Sequence, residues 1–281
     1  MTADSAPLEP GQDDIDTSRP NAARMYDYFL GGTTHFPADR AAAQAALESM
    51  PTVPGLARSN RAFLHRATRV LAGRYGVRQF LDVGSGIPTE PNLHRSAQAV
   101  APDARVVYTD SDPTVRKLSG RLLESCAAEG RAVFLEADVR DPEGILGSPE
   151  VTGTLDLRRP VALSVLALLH FVPDDEEAYG CVARLLAALP SGSFLVLSHL
   201  TADFAPEAVA RANEPYRRSG IEVRPRTRDE LLGFFDGLDL LAPGMVRAHQ
   251  WHPEAQPEGL GEVEVLPDAA APFHVAVGIT R

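Results

Sequence analysis

The sequence predicts an α/β fold with a doubly wound, mostly parallel sheet, preceded by an N-terminal helical segment. Three observations carry this reading. From residue 78 onward, short β-forming runs alternate with helical patterns, the arrangement of successive βαβ units. The run at 161–166 is apolar almost throughout, as expected of a strand buried on both faces. The run at 79–83 leads directly into Gly84-Ser85-Gly86, a strand ending where a ligand can approach the backbone because no Cβ intervenes.

The elements follow in order. Residues 1–16 are acidic and carry Pro7 and Pro10, a composition that predicts a mobile tail. Thr17 or Ser18 can cap a first helix with Pro20 in its first turn. That helix runs through Arg24, Met25, Tyr28 and Leu30 and stops at Gly31-Gly32. A second helix spans 38–49 and ends at Pro51. A third spans 54–74, where Leu56, Phe63, Leu64, Ala67, Val70 and Leu71 form a stripe at helical spacing, with Gly76 just beyond. Residues 17–76 therefore read as a helical lid or cap segment, and 77–281 as the α/β domain. In that domain strands are expected at 79–83, 105–109, 131–136, 161–166 and 193–198. Helices are expected at 92–100, 114–129, 174–189, 206–217 and 227–235, and two closing strands near 245–251 and 273–279. Between the last two strands, residues 253–272 are rich in Pro, Glu, Gly and Ala and read as an exposed connection.

Composition narrows the function. The chain has 281 residues, enough for one large domain with an added segment, and a net charge of −11. A field of that sign repels phosphate backbones, so no nucleic-acid partner is expected. Arg211, Arg217, Arg218, Arg224, Arg226 and Arg228 read as a solvated helix and loop. Cys126 and Cys181 fall in helix-like segments and suit small buried roles, which fits a reducing compartment. The start of the chain lacks a basic stretch followed by an apolar core, and no 18-residue apolar run occurs, so a cytoplasmic protein without a membrane partner is expected. His249 and His252 make only a weak zinc signal, and no metal is expected.

Three carboxylates mark the chemistry: Asp82 near the end of the first strand, Asp110 after the second and Asp138 after the third. In an open α/β sheet such positions meet at the carboxyl rim, where ligands bind. Asp110 lies 24 residues beyond Gly86, a spacing suited to ribose hydroxyls. Asp138 can accept from an adenine amino group. Together they point to an adenosine-type ligand. A dinucleotide fingerprint needs a third glycine or alanine, but Thr89 stands there, and Pro88 removes a backbone N–H that could face a pyrophosphate. Asp82, before the turn, suits an ammonium group instead.

These residues resemble class I S-adenosylmethionine-dependent methyltransferases: Asp82-Val83-Gly84-Ser85-Gly86, Asp110, Asp138-Val139 and Leu168-Leu169-His170-Phe171. More narrowly, the chain is similar to an actinobacterial methyltransferase-like family long of unknown function. That likeness rests on residues 16–18 and 23–32, on Ala38-Asp39-Arg40, on residues 58–64, and on Gly86-Ile87-Pro88-Thr89. Asn92-Leu93-His94, Asp112-Pro113 and Leu169-His170-Phe171 extend it, whereas Thr33-Thr34-His35 departs from the family pattern. The resemblance implies a Rossmann-like seven-stranded sheet with its last strand inserted antiparallel between strands five and six. It also implies S-adenosyl-L-methionine as cofactor, with Gly84 and Gly86 under the methionine moiety and Ser85 beside them. Asp82 would face the amino group, Asp110 with Ser111 the ribose, and Asp138 with Val139 the adenine.

Methyl transfer is an in-line displacement, to which alignment contributes about 7–11 kcal/mol. A base is needed only where the acceptor must lose a proton. His170, after the fourth strand, is the candidate base, and His199 a weaker one. Arg24, Tyr26, Tyr28 and His35 are candidate substrate or lid residues, on or beside a helix ending in two glycines that can act as hinges. The expected activity is methyl transfer to a small molecule. The alternatives are a non-catalytic S-adenosylmethionine sensor and a nicotinamide-dependent oxidoreductase.

Overall fold

The computed structural model describes residues 15–123, 130–261, 265–267 and 271–281. Most of the tail expected at 1–16 lies outside these residues, as does Cys126. Asp16 is fixed: its carbonyl accepts from Arg24 Nη2 at 3.1 Å and its carboxylate from the Ser18 backbone at 2.9 Å.

Five parallel strands form most of the sheet: β1 (Gln79–Val83), β2 (Arg105–Asp110), β3 (Arg131–Glu136), β4 (Ala162–Leu166) and β5 (Phe194–Leu200). The order β3-β2-β1-β4-β5-β8-β6 places the last strand, β8 (Phe273–Thr280), antiparallel between β5 and β6 (Leu238–Leu240). The expected strand at 245–251 shrinks to β7 (Val246–Arg247), which also pairs with β8. Strand six is thus two short pieces on one neighbour. Pro243 and Gly244 separate them, since proline cannot donate to the ladder and Gly244 takes φ +83°. Beyond β7 the chain turns into a 3₁₀ segment, Ala248–Gln250.

Alternation along the strands divides the core. On β1, Leu81 and Val83 join the cluster on one face, with Leu163, Val165 and Leu185. Phe80 joins the other, with Phe63, Val106 and Trp251. The second cluster lies under α3 (Val53–Arg74) and α4 (Leu93–Gln98); the first lies under α8 (Asp175–Ala187). The link from β3 to β4 holds two short helices absent from the sequence reading, α6 (Pro142–Gly147) and α7 (Pro149–Thr152), each begun by a proline after a capping Asp141 or Ser148. Helix α5 (Pro113–Leu123) is described as far as residue 123 of its expected span.

The first helix starts later than expected. Helix α1 is Ala22–Phe29, capped by Asn21, whose side chain accepts from Ala23 and Arg24 backbone N–H groups. Asp39, on α2 (Pro37–Ser49), fixes that start: its buried carboxylate takes Arg24 Nε at 2.9 Å, Asn21 N at 2.8 Å and Phe36 N at 2.7 Å. Gly31 ends the helix at φ +79°, as expected. Met25, Phe29, Ala43, Ala46 and Ala57 join α1 and α2 to α3, and α2 also packs on α9 (Pro206–Arg218). These helices, hereafter the cap, line one cavity together with the carboxyl rim of the sheet. A fully buried Arg66 ties α3 to the chain after β7, donating to the carbonyls of Ala248 and Trp251 and to Gln256 Oε1 at 2.8 Å. Its burial lowers its pKa to about 10.

Breaking the Arg24–Asp39 pair leaves a buried carboxylate without its counter-charge. Arg24→Ala is expected to lower the unfolding free energy in chemical denaturation by about 3–5 kcal/mol. A loss below about 1 kcal/mol, the scale of an exposed pair, would contradict this role.

Candidate functional site

The connections of β1 and β4 leave the sheet on opposite sides, so the rim opens between them. Gly84 takes φ +74°, a left-handed conformation, and a Cβ there would lie 2.6 Å from the Leu168 side chain. Leu168 gets there through Ala167, itself at φ +51° and held by Ser198, whose Oγ accepts from its N–H at 2.9 Å. A non-glycine residue in that region costs about 1–2 kcal/mol. The glycine and leucine turns therefore interlock. The Gly84 and Ser85 N–H groups donate to Thr109 O at 2.8 and 3.0 Å, which leaves the turn's outer face open.

Asp110 braces the same turn, accepting from Gly86 N at 2.8 Å through one oxygen and Asp112 N at 2.9 Å through the other. Each oxygen keeps a further lone pair. Burial raises its pKa, against these two backbone bonds. Asp138 accepts from the Arg140 backbone at 2.9 Å and pairs with its guanidinium at 3.2 Å. Arg140 Nη2 donates to Phe171 O at 3.1 Å, so it straps the turn after β3 to the turn after β4. Val139 is buried between them.

Asp82 differs from the other two. It is only 6% exposed, yet neither oxygen accepts a hydrogen bond or ion pair from a described residue. Burial pushes its carboxyl up to about 7; the Arg61 charge opposes this and the Asp110 charge adds to it. Pleating points Asp82 toward α3, on the same face as its register partner Tyr108. Arg61, on α3, reaches this corner with Nη2 on Thr89 O at 2.6 Å and Pro91 O at 2.8 Å. Its remaining donors meet no described residue. An unpartnered buried carboxylate beside a guanidinium with spare donors is matched to a ligand carrying both charges.

These groups line a cavity of about 430 Å³ that runs from the rim to the cap. That volume is of small-molecule size, in the range of about 300–1,000 Å³. Asp82, Gly84, Ser85, Gly86, Asp110 and Ser111 stand in its wall. So do Asp138, Val139, His170 and Tyr26. Arg24, Tyr28 and His35, the other three candidate substrate or lid residues, do not. Helical spacing explains the split: Tyr26 and Phe29 point inward, while Tyr28 faces outward, with its hydroxyl near Gln44 Nε2 at 3.4 Å and its ring edge-on to His35. His35 Nδ1 pairs with the buried Asp27 at 3.0 Å. The two-glycine hinge is likewise filled, since a Cβ on Gly32 would lie 2.0 Å from the Asp27 carboxylate.

His170 sits on a 3₁₀ turn, Leu169–Phe171, clamped by a fully buried Arg226. That guanidinium donates to Leu169 O at 2.8 Å, Val172 O at 2.9 Å and His199 Nε2 at 3.0 Å, and pairs with Asp175 at 3.0 Å. Arginine cannot accept, so His199 Nε2 is the acceptor, and its Nδ1–H donates to Leu200 O at 2.7 Å. His199 is therefore neutral, its pKa lowered to about 3 chiefly by burial. His170 packs edge-on against it at 5.4 Å. Burial, then His199 and Arg226, hold His170 well below the ordinary histidine range. The structure thus brings His170 to the cavity but weakens it as a resident base.

Arg61 and Arg226 were not singled out for the site from sequence. Arg61 entered only within the 58–64 stretch that carries the family likeness, with no role of its own, and Arg226 only as one of a run of arginines. His252, on the weak metal motif, is engaged by Glu254 at 2.6 Å and Ala242 O at 3.0 Å. No helix among the described residues is long and apolar enough to cross a membrane.

Comparison with known proteins agrees with this geometry. Residues 9–280 match the model of a family described as S-adenosyl methyltransferase. A DUF574 family protein from Streptomyces avermitilis MA-4680 is 47% identical over 95% of this chain and all of its own, with a TM-score of 0.89. A candidate methyltransferase from Thermobifida fusca YX is 36% identical over 97% of this chain and 98% of its own, with a TM-score of 0.84. The plantazolicin methyltransferase BpumL, in complex with SAH, shares the fold at 11% identity and a TM-score of 0.54, over 92% of this chain and 95% of its own. No curated protein matches the sequence.

The raised pKa of Asp82 makes a stability prediction. Protonation favours the folded state, so this contribution is complete below the unfolded value of 3.8 and is lost as pH rises through about 7. Asp82→Asn removes the loss. The unfolding free energy of the variant minus that of the parent should grow from about pH 4 to about pH 7, by roughly 4 kcal/mol at most, and then level off. A difference independent of pH would show that Asp82 ionises freely in the empty cavity.

Proposed function

The chain belongs to the S-adenosyl methyltransferase family, and from that premise we propose that it transfers a methyl group from its cofactor, S-adenosylmethionine, to a small-molecule acceptor held beneath the cap. The observation that carries this reading is the partnerless buried carboxylate of Asp82 set beside Arg61 at the glycine turn. The methionine end of the cofactor is a zwitterion, and these two groups fit it: Asp82 would take the ammonium and Arg61 the carboxylate. Gly84 and Gly86 allow close approach of that chain, Asp110 with Ser111 would hold the ribose, and Asp138 with Val139 would border the adenine. The sulfonium supplies an electrophilic methyl group. The protein supplies alignment of that group with an acceptor and exclusion of water from the line between them.

His170 is assigned here as a group that orients the acceptor by hydrogen bonding. Its lowered basicity makes it a poor store for an acceptor's proton. The same observation favours, as the second reading, a protein that binds the cofactor and signals its level without turnover. Incubation with a labelled methyl donor and a metabolite extract separates the two: label transfer supports the transferase, and tight binding without transfer supports the sensor.

Calorimetric titration should show binding of both S-adenosylmethionine and S-adenosylhomocysteine. Arg61→Met and Asp110→Ala are each expected to weaken it at least about tenfold, the scale of one lost hydrogen bond to a charged group. Variants that fold and bind as tightly as the parent would contradict these roles.

A further inference from the structure

The charged residues of the cavity wall are segregated. Arg61, Asp82, Asp110, Asp112, Asp138 and Arg140 all border the strand rim and the α3 corner. Away from the rim, the wall is built by α1, the end of α2, the start of α3, α9 and the ends of β5 and β8, and among the described residues it carries no acid, lysine or arginine. Helix α9 shows how. Val209, Ala212, Asn213 and Tyr216, at helical spacing, face the cavity. Glu207, Arg211, Glu214, Arg217 and Arg218 lie on its outer side and pair with one another. Opposite α9 stand Phe29, Met50 and Leu56, with Phe273 from the sheet.

Two polar groups in this lobe have spare capacity. The Tyr216 hydroxyl and the Asn213 amide meet no hydrogen-bond partner among the described residues. Burial holds the Tyr216 phenol above its ordinary pKa, so it stays a neutral donor. The Tyr26 hydroxyl, by contrast, is committed, donating to Ala57 O at 3.1 Å and accepting from Asn60 Nδ2 at 3.0 Å.

We infer that this apolar lobe is the acceptor site and that it takes an uncharged, aromatic or otherwise apolar small molecule bearing a hydrogen-bonding group that meets Tyr216 and Asn213. The inference rests on the methyltransferase reading and narrows it by substrate class. The physical reason is desolvation: a charged acceptor would leave water for a wall whose described residues offer no counter-charge. An apolar ring gains free energy in proportion to the area it buries there. Aromatic side chains on several sides, Phe29, Phe171, Tyr216 and Phe273, suit a flat ring.

The test uses the full chain saturated with S-adenosylhomocysteine and three probes of one shape: 2-naphthol, 2-naphthoate and 2-naphthylmethylammonium. Expected is 2-naphthol binding at least tenfold tighter than either charged probe, without displacement of S-adenosylhomocysteine. Ala212→Asp should weaken 2-naphthol at least tenfold and leave S-adenosylhomocysteine affinity within twofold. Should that variant fail to fold, the ranking on the parent protein decides alone. Equal or tighter binding of a charged probe, or no detectable binding of 2-naphthol, overturns the inference while leaving the cofactor assignment intact. Competition between 2-naphthol and S-adenosylhomocysteine overturns the placement in the lobe. Failure of S-adenosylhomocysteine itself to bind removes the methyltransferase reading and this inference together.

Discussion

The proposed site depends on one carboxylate that lines the cavity yet accepts nothing from any described residue. Asp82 ends a strand that is buried on both faces, so its surroundings penalise the ionised form. The fold leaves it that way on purpose of geometry rather than of stability: Arg61 is near enough to act on it but spends donors on Thr89 and Pro91 carbonyls. Occupation by a cation would satisfy the carboxylate and remove the penalty. On the proposed reading, the site is thereby preorganised for the cofactor's ammonium group.

Much of the surrounding structure keeps this corner in place. The Gly84 turn accepts Leu168 where a Cβ would stand, so the ends of β1 and β4 are mutually fixed. Arg226 clamps the His170 turn from beneath, and Arg140 straps it from the side. Arg66 and the Arg24–Asp39 pair anchor the cap helices. Three buried arginines thus hold backbone carbonyls or a carboxylate rather than ligand. The cap they fix divides the cavity into a charged half and a neutral half, and that division underlies both the proposed cofactor orientation and the proposed acceptor class.

The sheet and its rim were legible in the sequence because the signals were local. A strand run followed by Gly84-Ser85-Gly86, and acids after the next two strands, pointed to residues that the fold brings into the wall of one cavity. The last strand was also placed, between its expected neighbours. What was lost depended on contacts distant in sequence. Strand six was expected only at 245–251; the piece before Pro243-Gly244, Leu238–Leu240, was missed, since it is three residues long and is held by pairing with the far end of β8. The start of α1 was misread since Asp39, fifteen residues beyond Arg24, selects Asn21 as the cap. Tyr26 and Tyr28 look alike in sequence; their two-residue offset turns one into the cavity and the other out. Arg61 was hidden because a helical arginine ordinarily means a solvated face.

The central claim is that Asp82 in the empty protein keeps its proton until the pH nears about 7, and gives it up when an ammonium group arrives. Calorimetric titration of S-adenosylmethionine in buffers of different ionisation enthalpy, at about pH 6, counts the protons exchanged on binding. The account predicts net release approaching one proton per ligand, at the pH where the group with a pKa of about 7 is mostly protonated, and no such release in Asp82→Asn. Binding with no proton exchange, or the same release in the variant, would contradict it.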